Sequence, residues 1–175
     1  MRYLLNEFKF ENRIDFFGDA MKDKSVVYMM IGIPGSGKST WIRNNRKDTW
    51  VVVSPDAILE TQYNYEWTPE RASEAWALSY QQFGHGLLAD KTMVWDATFT
   101  SPIMRAAILH TAKGAGYLVE AIFCDTPIEL CIERNQRRNR EPVPESTIRR
   151  MAENLQPPTE AEGFDRIEHI QVKYP

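Results

Sequence analysis

A chain of 175 residues with 43% apolar side chains is long and apolar enough for one domain with its own core, which excludes wholesale disorder. A net charge of −3 gives no global basic footprint, so any contact with nucleic acid has to be local. Two cysteines, Cys124 and Cys131, and three scattered histidines, His85, His110 and His169, form neither a disulfide framework nor a metal-ligand spacing, and the expectation is two reduced thiols in a cytoplasmic protein.

No apolar run approaches the ~18 residues of a membrane span. The first stretch, MRYLLNEFKFENR, mixes acids into its apolar positions and is not expected to be a secretory signal. Residues 1–24 alternate aromatic and polar positions, among them Phe8, Phe10, Phe16 and Phe17. They are expected to be an extension packed on the core, as a strand or as a short helix, ahead of a main domain over 25–175. SVVYMMIG, 25–32, is a near-continuous apolar run that suits a strand covered on both faces. A helix is predicted from about Lys38. WVVV, 50–53, is a second buried strand, closed by Ser54-Pro55 with Asp56 just beyond. Thr68-Pro69 opens a helix over 68–90, with proline at its first helical position. TMVWDAT, 92–98, is a third strand, and Ser101-Pro102 opens a helix that stops near Gly114 and Gly116. YLVEAIFCD, 117–125, is a fourth strand. Thr126-Pro127 opens the next helix, broken by Pro142 and Pro144. ESTIRRMAENL is one more helix and FDRIEHIQV a last strand. Strands alternating with helices predict an α/β fold, a parallel sheet with helices on both faces.

The segment between the first strand and first helix reads GIPGSGKST. It satisfies G-x-x-x-x-G-K-[ST] with Gly32, Gly37, Lys38 and Ser39, in the strand–loop–helix context the motif requires. Glycines let successive backbone N–H groups turn inward around an anion. The following helix adds its positive end. Gly32, Pro34, Gly35, Ser36, Gly37, Lys38, Ser39 and Thr40 are thus candidates to hold ATP or another nucleoside triphosphate. Lys38 would reach the β- and γ-phosphates, and the Ser39 hydroxyl would ligate Mg²⁺. The motif predicts nucleotide binding and leaves the phosphate acceptor open.

Ligands of parallel sheets collect beyond the carboxyl ends of the strands. Lys38, Asp56 and Asp96 all fall at or after such ends. A carboxylate there can orient an attacking hydroxyl and take its proton. Asp56 is the candidate for that role, the other reading being a cap on the AILE turn. Asp96 closes MVWD and is a candidate Mg²⁺ contact, the other reading again being a turn aspartate. Arg105 follows and reads equally as a solvated helix residue. CIERNQRRNREPVP places Arg134, Arg137, Arg138 and Arg140 close together. Arg134 and Arg138 are spaced i,i+4 and are predicted to share a helix face. Two such guanidiniums suit a lid that stabilises the charge of a phosphoryl transition state. A solvated basic face is the alternative.

GIPGSGKSTW, SPD, DATFTSPIMR, RNQRR and VPESTIRRM occur in an order and spacing that resemble the polynucleotide 5′-hydroxyl kinase family, over roughly residues 26–155. The resemblance implies a P-loop NTPase fold with adenylate-kinase-like strand order, a helical arginine lid, and transfer of the ATP γ-phosphate to a nucleic-acid hydroxyl, DNA ahead of RNA. By position it makes Lys38 and Ser39 phosphate and Mg²⁺ ligands and Asp56 the general base. Arg134 and Arg138 become the lid arginines, and Thr98 and Arg105 part of an acceptor-side or structural network. The chain would be a stand-alone kinase, in the host cytoplasm if phage-encoded. Members often carry an arginine three residues after the catalytic aspartate to hold the acceptor's neighbouring phosphate, and here that position is Leu59. Arg71 and Arg105 are candidate substitutes.

Phage-type kinases of similar sequence phosphorylate a hydroxymethyl group on a DNA base such as 5-hydroxymethyluracil. TQYNYEW, just after Asp56, supplies Tyr63, Tyr65 and Trp67 to stack an extruded base, at about 1–3 kcal/mol per base. Core packing is the other reading of these aromatics. A small-molecule kinase for a nucleoside, sugar or antibiotic, and a non-catalytic nucleotide-gated module, complete the alternatives.

Overall fold

A computed structural model of the protein describes residues 25–138 and 141–172. The expected extension over 1–24 and Arg140 lie outside them. The described strands are β1 (Val26–Ile31), β2 (Val51–Val53), β3 (Met93–Trp95), β4 (Leu118–Asp125) and β5 (Arg166–Gln171). They form one parallel sheet in the order β2-β3-β1-β4-β5. The predicted third strand is shortened at its carboxyl end. The Asp96 N–H still pairs with the Val53 carbonyl, but the Thr98 carbonyl accepts from Gly32 N–H at 3.0 Å, so the chain leaves the sheet and crosses to the phosphate-loop motif.

The helices are α1 (Lys38–Asn45), α2 (Pro55–Tyr63), α3 (Pro69–Leu88), α4 (Pro102–Gly114), α5 (Ile128–Gln136) and α6 (Glu145–Glu153). The sequence reading missed α2 as a helix. Ser54 caps it by accepting from Ala57 N–H at 3.3 Å, and Pro55 fills the first turn. Thr68-Pro69 does the same for α3, where Thr68 accepts from Arg71 N–H at 3.2 Å.

Alternation along the strands divides the core. Val27, Met29, Ile31, Trp95, Ala121 and Phe123 pack toward Phe83 of α3 and Ile108, Leu109 and Ala112 of α4. Met30, Val94, Ile122 and Cys124 pack toward Ile42 of α1. A third cluster joins Ile33 to Cys131 and Ile132 of α5 and Ile148 of α6, tying these helices to the loop after β1. The sheet is therefore covered on both faces, as its continuous apolar strands require. No helix among the described residues is long and apolar enough to cross a membrane.

Candidate active site

The loop between β1 and α1 is shaped by close approaches that only glycine permits. Gly32 has φ +147°, and a Cβ there would come within 2.6 Å of Ser36 Oγ and 2.8 Å of the Cys124 carbonyl. Gly35 has φ +83°, and its Cβ would run into the Cys131 carbonyl of α5. Thr126 Oγ1 donates to the Ser36 carbonyl at 2.8 Å, bracing the loop from β4. The Ser36 hydroxyl is buried with no hydrogen-bond partner among the described residues. A buried orphan hydroxyl inside a cradle with no room for a Cβ fits an anion-binding loop.

Lys38 opens α1 and is buried at the base of this loop. Its ammonium donates to the Gly32 carbonyl at 2.8 Å and the Ile33 carbonyl at 3.0 Å. Burial pushes its pKa below the ordinary value, while the fields of Asp96 and Asp56 act in the opposite direction. The structure thus brings Lys38, Asp56 and Asp96 together at the carboxyl ends of β1, β2 and β3. Asp56 is exposed in the first turn of α2, whose N-cap is Ser54. Asp96 is half-buried and shares a cavity of about 400 Å³ with Ser39, Ile42, Arg43, Arg46 and Asp48. A hydroxyl and a carboxylate on one cavity suit Mg²⁺, which takes few protein ligands and completes its shell with water and phosphate oxygens.

The cysteines support the loop without chemistry of their own. Cys124 and Cys131 are free and buried, and burial pushes both thiols up to about 11, far from a reactive thiolate.

Arg105 requires a correction. It is fully buried, with Nε and Nη2 donating to the Glu162 carboxylate at 2.7 Å each and Nη1 to the carbonyls of Phe99 and Gln156. It cannot meet an acceptor. It fixes the β3–α4 loop instead, where Phe99 is held at φ +44°, a strained value for a bulky residue. Thr98, half-buried in that loop, meets the loop after β1 through its carbonyl. Arg105→Ala should lower unfolding free energy by about 1–3 kcal/mol, since the Phe99 and Gln156 carbonyls and the part-buried Glu162 carboxylate lose their shared donor, and urea titration reads this. Burial raises the Glu162 pKa, but the Arg105 hydrogen bonds and the Thr159 N–H outweigh it and hold the pKa below 4.5. The stability this contributes is present above 4.5 and is lost as pH falls through the lowered value, and Arg105→Ala should flatten that acid dependence.

The arginine segment also departs from expectation. α5 ends at Gln136, so Arg134 is helical and exposed while Arg138 lies beyond the helix, and the two share no helix face. The cause is Asn135, whose amide donates to the Val143 carbonyl at 2.8 Å and accepts from the Val143 N–H at 3.2 Å, closing the loop between. Arg138 donates to the same Asn135 oxygen at 3.1 Å. Nothing local in the sequence marks that staple.

Leu59 is buried, at 8% exposure. Arg71 pairs with Glu66 at 2.6 Å and lies over the Tyr63 ring at 5.2 Å. Trp67 stands 67% exposed between α2 and α3. His169 Nε2 hydrogen-bonds to Asp125 Oδ2 at 2.8 Å, and its ring stacks on Phe123 near the β4–β5 edge, on the far side of β1 from Asp56.

Over residues 27–158 the chain matches the model of the family described as AAA domain. No curated protein matches it. Among solved structures it is similar to a chain of the Pnkp1/Rnl/Hen1 RNA repair complex, with 22% identity, a TM-score of 0.68, and coverage of 78% of this chain and 46% of that one. It thus spans just under half the length of that neighbour. It is similar to a gluconokinase from Sinorhizobium meliloti 1021, with 16% identity, a TM-score of 0.58, and 88% and 86% of the two chains covered. It is also similar to a tunicamycin resistance protein from Deinococcus radiodurans, with 13% identity, a TM-score of 0.51, and 82% and 86% covered. At these identities the likeness is one of fold.

Proposed function

Since the chain belongs to the AAA domain family and has the fold of P-loop kinases, we propose that this ATP-dependent phosphotransferase passes the γ-phosphate to a hydroxyl of nucleic acid, foremost a polynucleotide 5′-hydroxyl. The observation that carries the reading is the convergence of Lys38, Asp56 and Asp96 at the carboxyl edge of the sheet. In-line transfer needs a cation on the phosphates and a base behind the incoming alcohol. Asp56 takes the alcohol proton as the new P–O bond forms and the bond from the γ-phosphorus to the bridging oxygen breaks, releasing ADP. Lys38 and the loop N–H groups hold the charge on the phosphate oxygens. Ser39 and Asp96 would hold Mg²⁺, which neutralises phosphate charge when bound. Arg134, exposed on the helix that abuts the loop, would add a guanidinium for charge that develops on the transferring phosphate. Arg134→Ala should lower kcat by about ten- to a hundredfold with little change in the KM for ATP, an effect on charge that develops in the transition state; an unchanged kcat would make Arg134 a solvated surface residue.

One observation favours a second reading. The exposed Trp67 beside α2 offers a stacking face for an extruded base, which suits transfer to a hydroxymethylated base in DNA. A labelled-ATP panel decides between them. Its acceptors are 5′-hydroxyl DNA and RNA oligonucleotides, duplex DNA with hydroxymethylated bases, nucleoside 3′-phosphates, free nucleosides and gluconate. Label on 5′-hydroxyl oligonucleotides is the expected result, with DNA, favoured by the sequence resemblance, ahead of RNA. Label confined to free nucleosides or gluconate would reject a nucleic-acid acceptor.

A further inference from the structure

Gly32 is held from two sides. Its N–H donates to the Thr98 carbonyl at 3.0 Å, and its carbonyl accepts from the Lys38 ammonium at 2.8 Å. The first residue of the phosphate loop therefore carries the lysine on one side and leans on the β3–α4 loop on the other. What fixes Thr98 is the next residue. Phe99 sits at φ +44°, in the left-handed region that bulky side chains avoid, and such a residue persists only where its surroundings over-determine it. Its ring is buried edge-on against Trp76 and Trp95, with centroids 6.1 and 5.9 Å apart. Its carbonyl accepts from Arg105 Nη1 at 2.9 Å. Arg105 is aimed in turn by the Glu162 carboxylate, which takes Nε and Nη2 at 2.7 Å each. Glu162 closes the short 3₁₀ turn Glu160–Glu162, where its Oε1 also accepts from the Thr159 N–H at 2.9 Å. An unbroken series of contacts thus runs from Glu162 to Lys38.

We propose that Arg105 and Glu162 are a positioning pair for the donor nucleotide. The guanidinium holds Phe99 in its left-handed conformation, so that the Thr98 carbonyl keeps Gly32, and with it Lys38, in place for the phosphates. The proposal rests on the phosphate-loop reading and is independent of which alcohol receives the phosphate. A guanidinium suits this task because its rigid fork commits one edge to the carboxylate and leaves Nη1 directed at the carbonyls of Phe99 and Gln156. A lysine ammonium is a point charge without that fixed angle. Arg105 has no exposed surface, so it touches no substrate and acts through the residues between.

The experiment measures the Kd of a fluorescent ATP analogue and the urea midpoint for the unaltered protein, Arg105→Lys, Glu162→Gln and Tyr117→Phe, at a temperature where circular dichroism shows each to be folded. Glu162→Gln is the gentler change, since the amide keeps one oxygen for the Thr159 N–H and loses one prong to Arg105. Tyr117→Phe is the control for stability alone. Its hydroxyl donates to the Gly86 and Leu87 carbonyls at 3.3 and 3.1 Å, just before β4 and at the opposite edge of the sheet from the phosphate loop. Arg105→Lys and Glu162→Gln should weaken nucleotide binding by about three- to thirtyfold, the range in which changes along a packed network alter a site they do not touch. Tyr117→Phe should lower the urea midpoint and leave the Kd unchanged. A Kd near that of the unaltered protein in either Arg105→Lys or Glu162→Gln, with only the urea midpoint falling, overturns the proposal and leaves the phosphate-loop assignment intact. A Kd that rises as much in Tyr117→Phe overturns it too, because general loosening would then be the cause. Failure of the unaltered protein to bind the nucleotide overturns both.

Discussion

Asp56→Asn should lower phosphoryl transfer by about a hundred- to ten-thousandfold, the range a positioned general base contributes, and leave ATP affinity near that of the unaltered protein. Asparagine keeps the shape of the side chain and its dipole but cannot accept the alcohol's proton. The groups proposed to bind the phosphates lie elsewhere, on the loop after β1, on Lys38 and on Arg134. The position is exposed in the first turn of α2, whose cap is Ser54, so the helix survives the change. Label transfer from ATP measures the chemistry, and titration with a fluorescent nucleotide measures binding. Turnover near that of the unaltered protein would remove Asp56 from the reaction, and the convergence with Lys38 would then need another purpose.

Lys38→Ala is the second large effect. Removing one preorganised donor from developing charge costs about a hundred- to a thousandfold in turnover. Alanine also leaves the Gly32 and Ile33 carbonyls without the ammonium they share, so the loop loosens and ATP binding weakens as well. The two variants are thus separable, Asp56→Asn acting on transfer alone and Lys38→Ala on transfer and binding. Normal turnover after Lys38→Ala would reject the phosphate-loop assignment. The lysine also leaves a signature in pH. Burial sets its pKa below the usual 10.5. Between the lowered value and 10.5 the unfolded chain binds more protons than the fold, so this group's contribution to stability rises with pH across that window. Phosphate binding needs the ammonium and should weaken over the same window. The alanine variant should lose both trends.

The β-strands and the phosphate loop were readable because they are local. An apolar run of six to eight residues bounded by glycine or proline admits few interpretations, and glycine, lysine and serine at fixed spacing encode a geometry of their own. α2 was also marked, since Ser54-Pro55 is the same kind of opening as Thr68-Pro69 and Ser101-Pro102; it was missed because it follows a strand of three residues with no intervening loop. Arg105 was not readable. Its carboxylate partner, Glu162, lies 57 positions away, and an arginine on a helix carries no local sign that it points inward. The spacing of Arg134 and Arg138 misled for a related reason: an i,i+4 argument holds only while the helix lasts, and Asn135 ends it by reaching forward to Val143.

The tight seat of Gly35 against α5 has a consequence for how such an enzyme changes its taste. The donor half is a fixed die, cast from the loop, the root of α5 and the Thr126 brace, and almost any alteration there would jam it. On the proposed reading the acceptor half is an adjustable jaw, in which the turn after α2 bends through Asn64 and Tyr65 and presents Trp67 at its tip. On that reading new alcohols would be recruited by recutting the jaw, while the die goes on stamping the same phosphate.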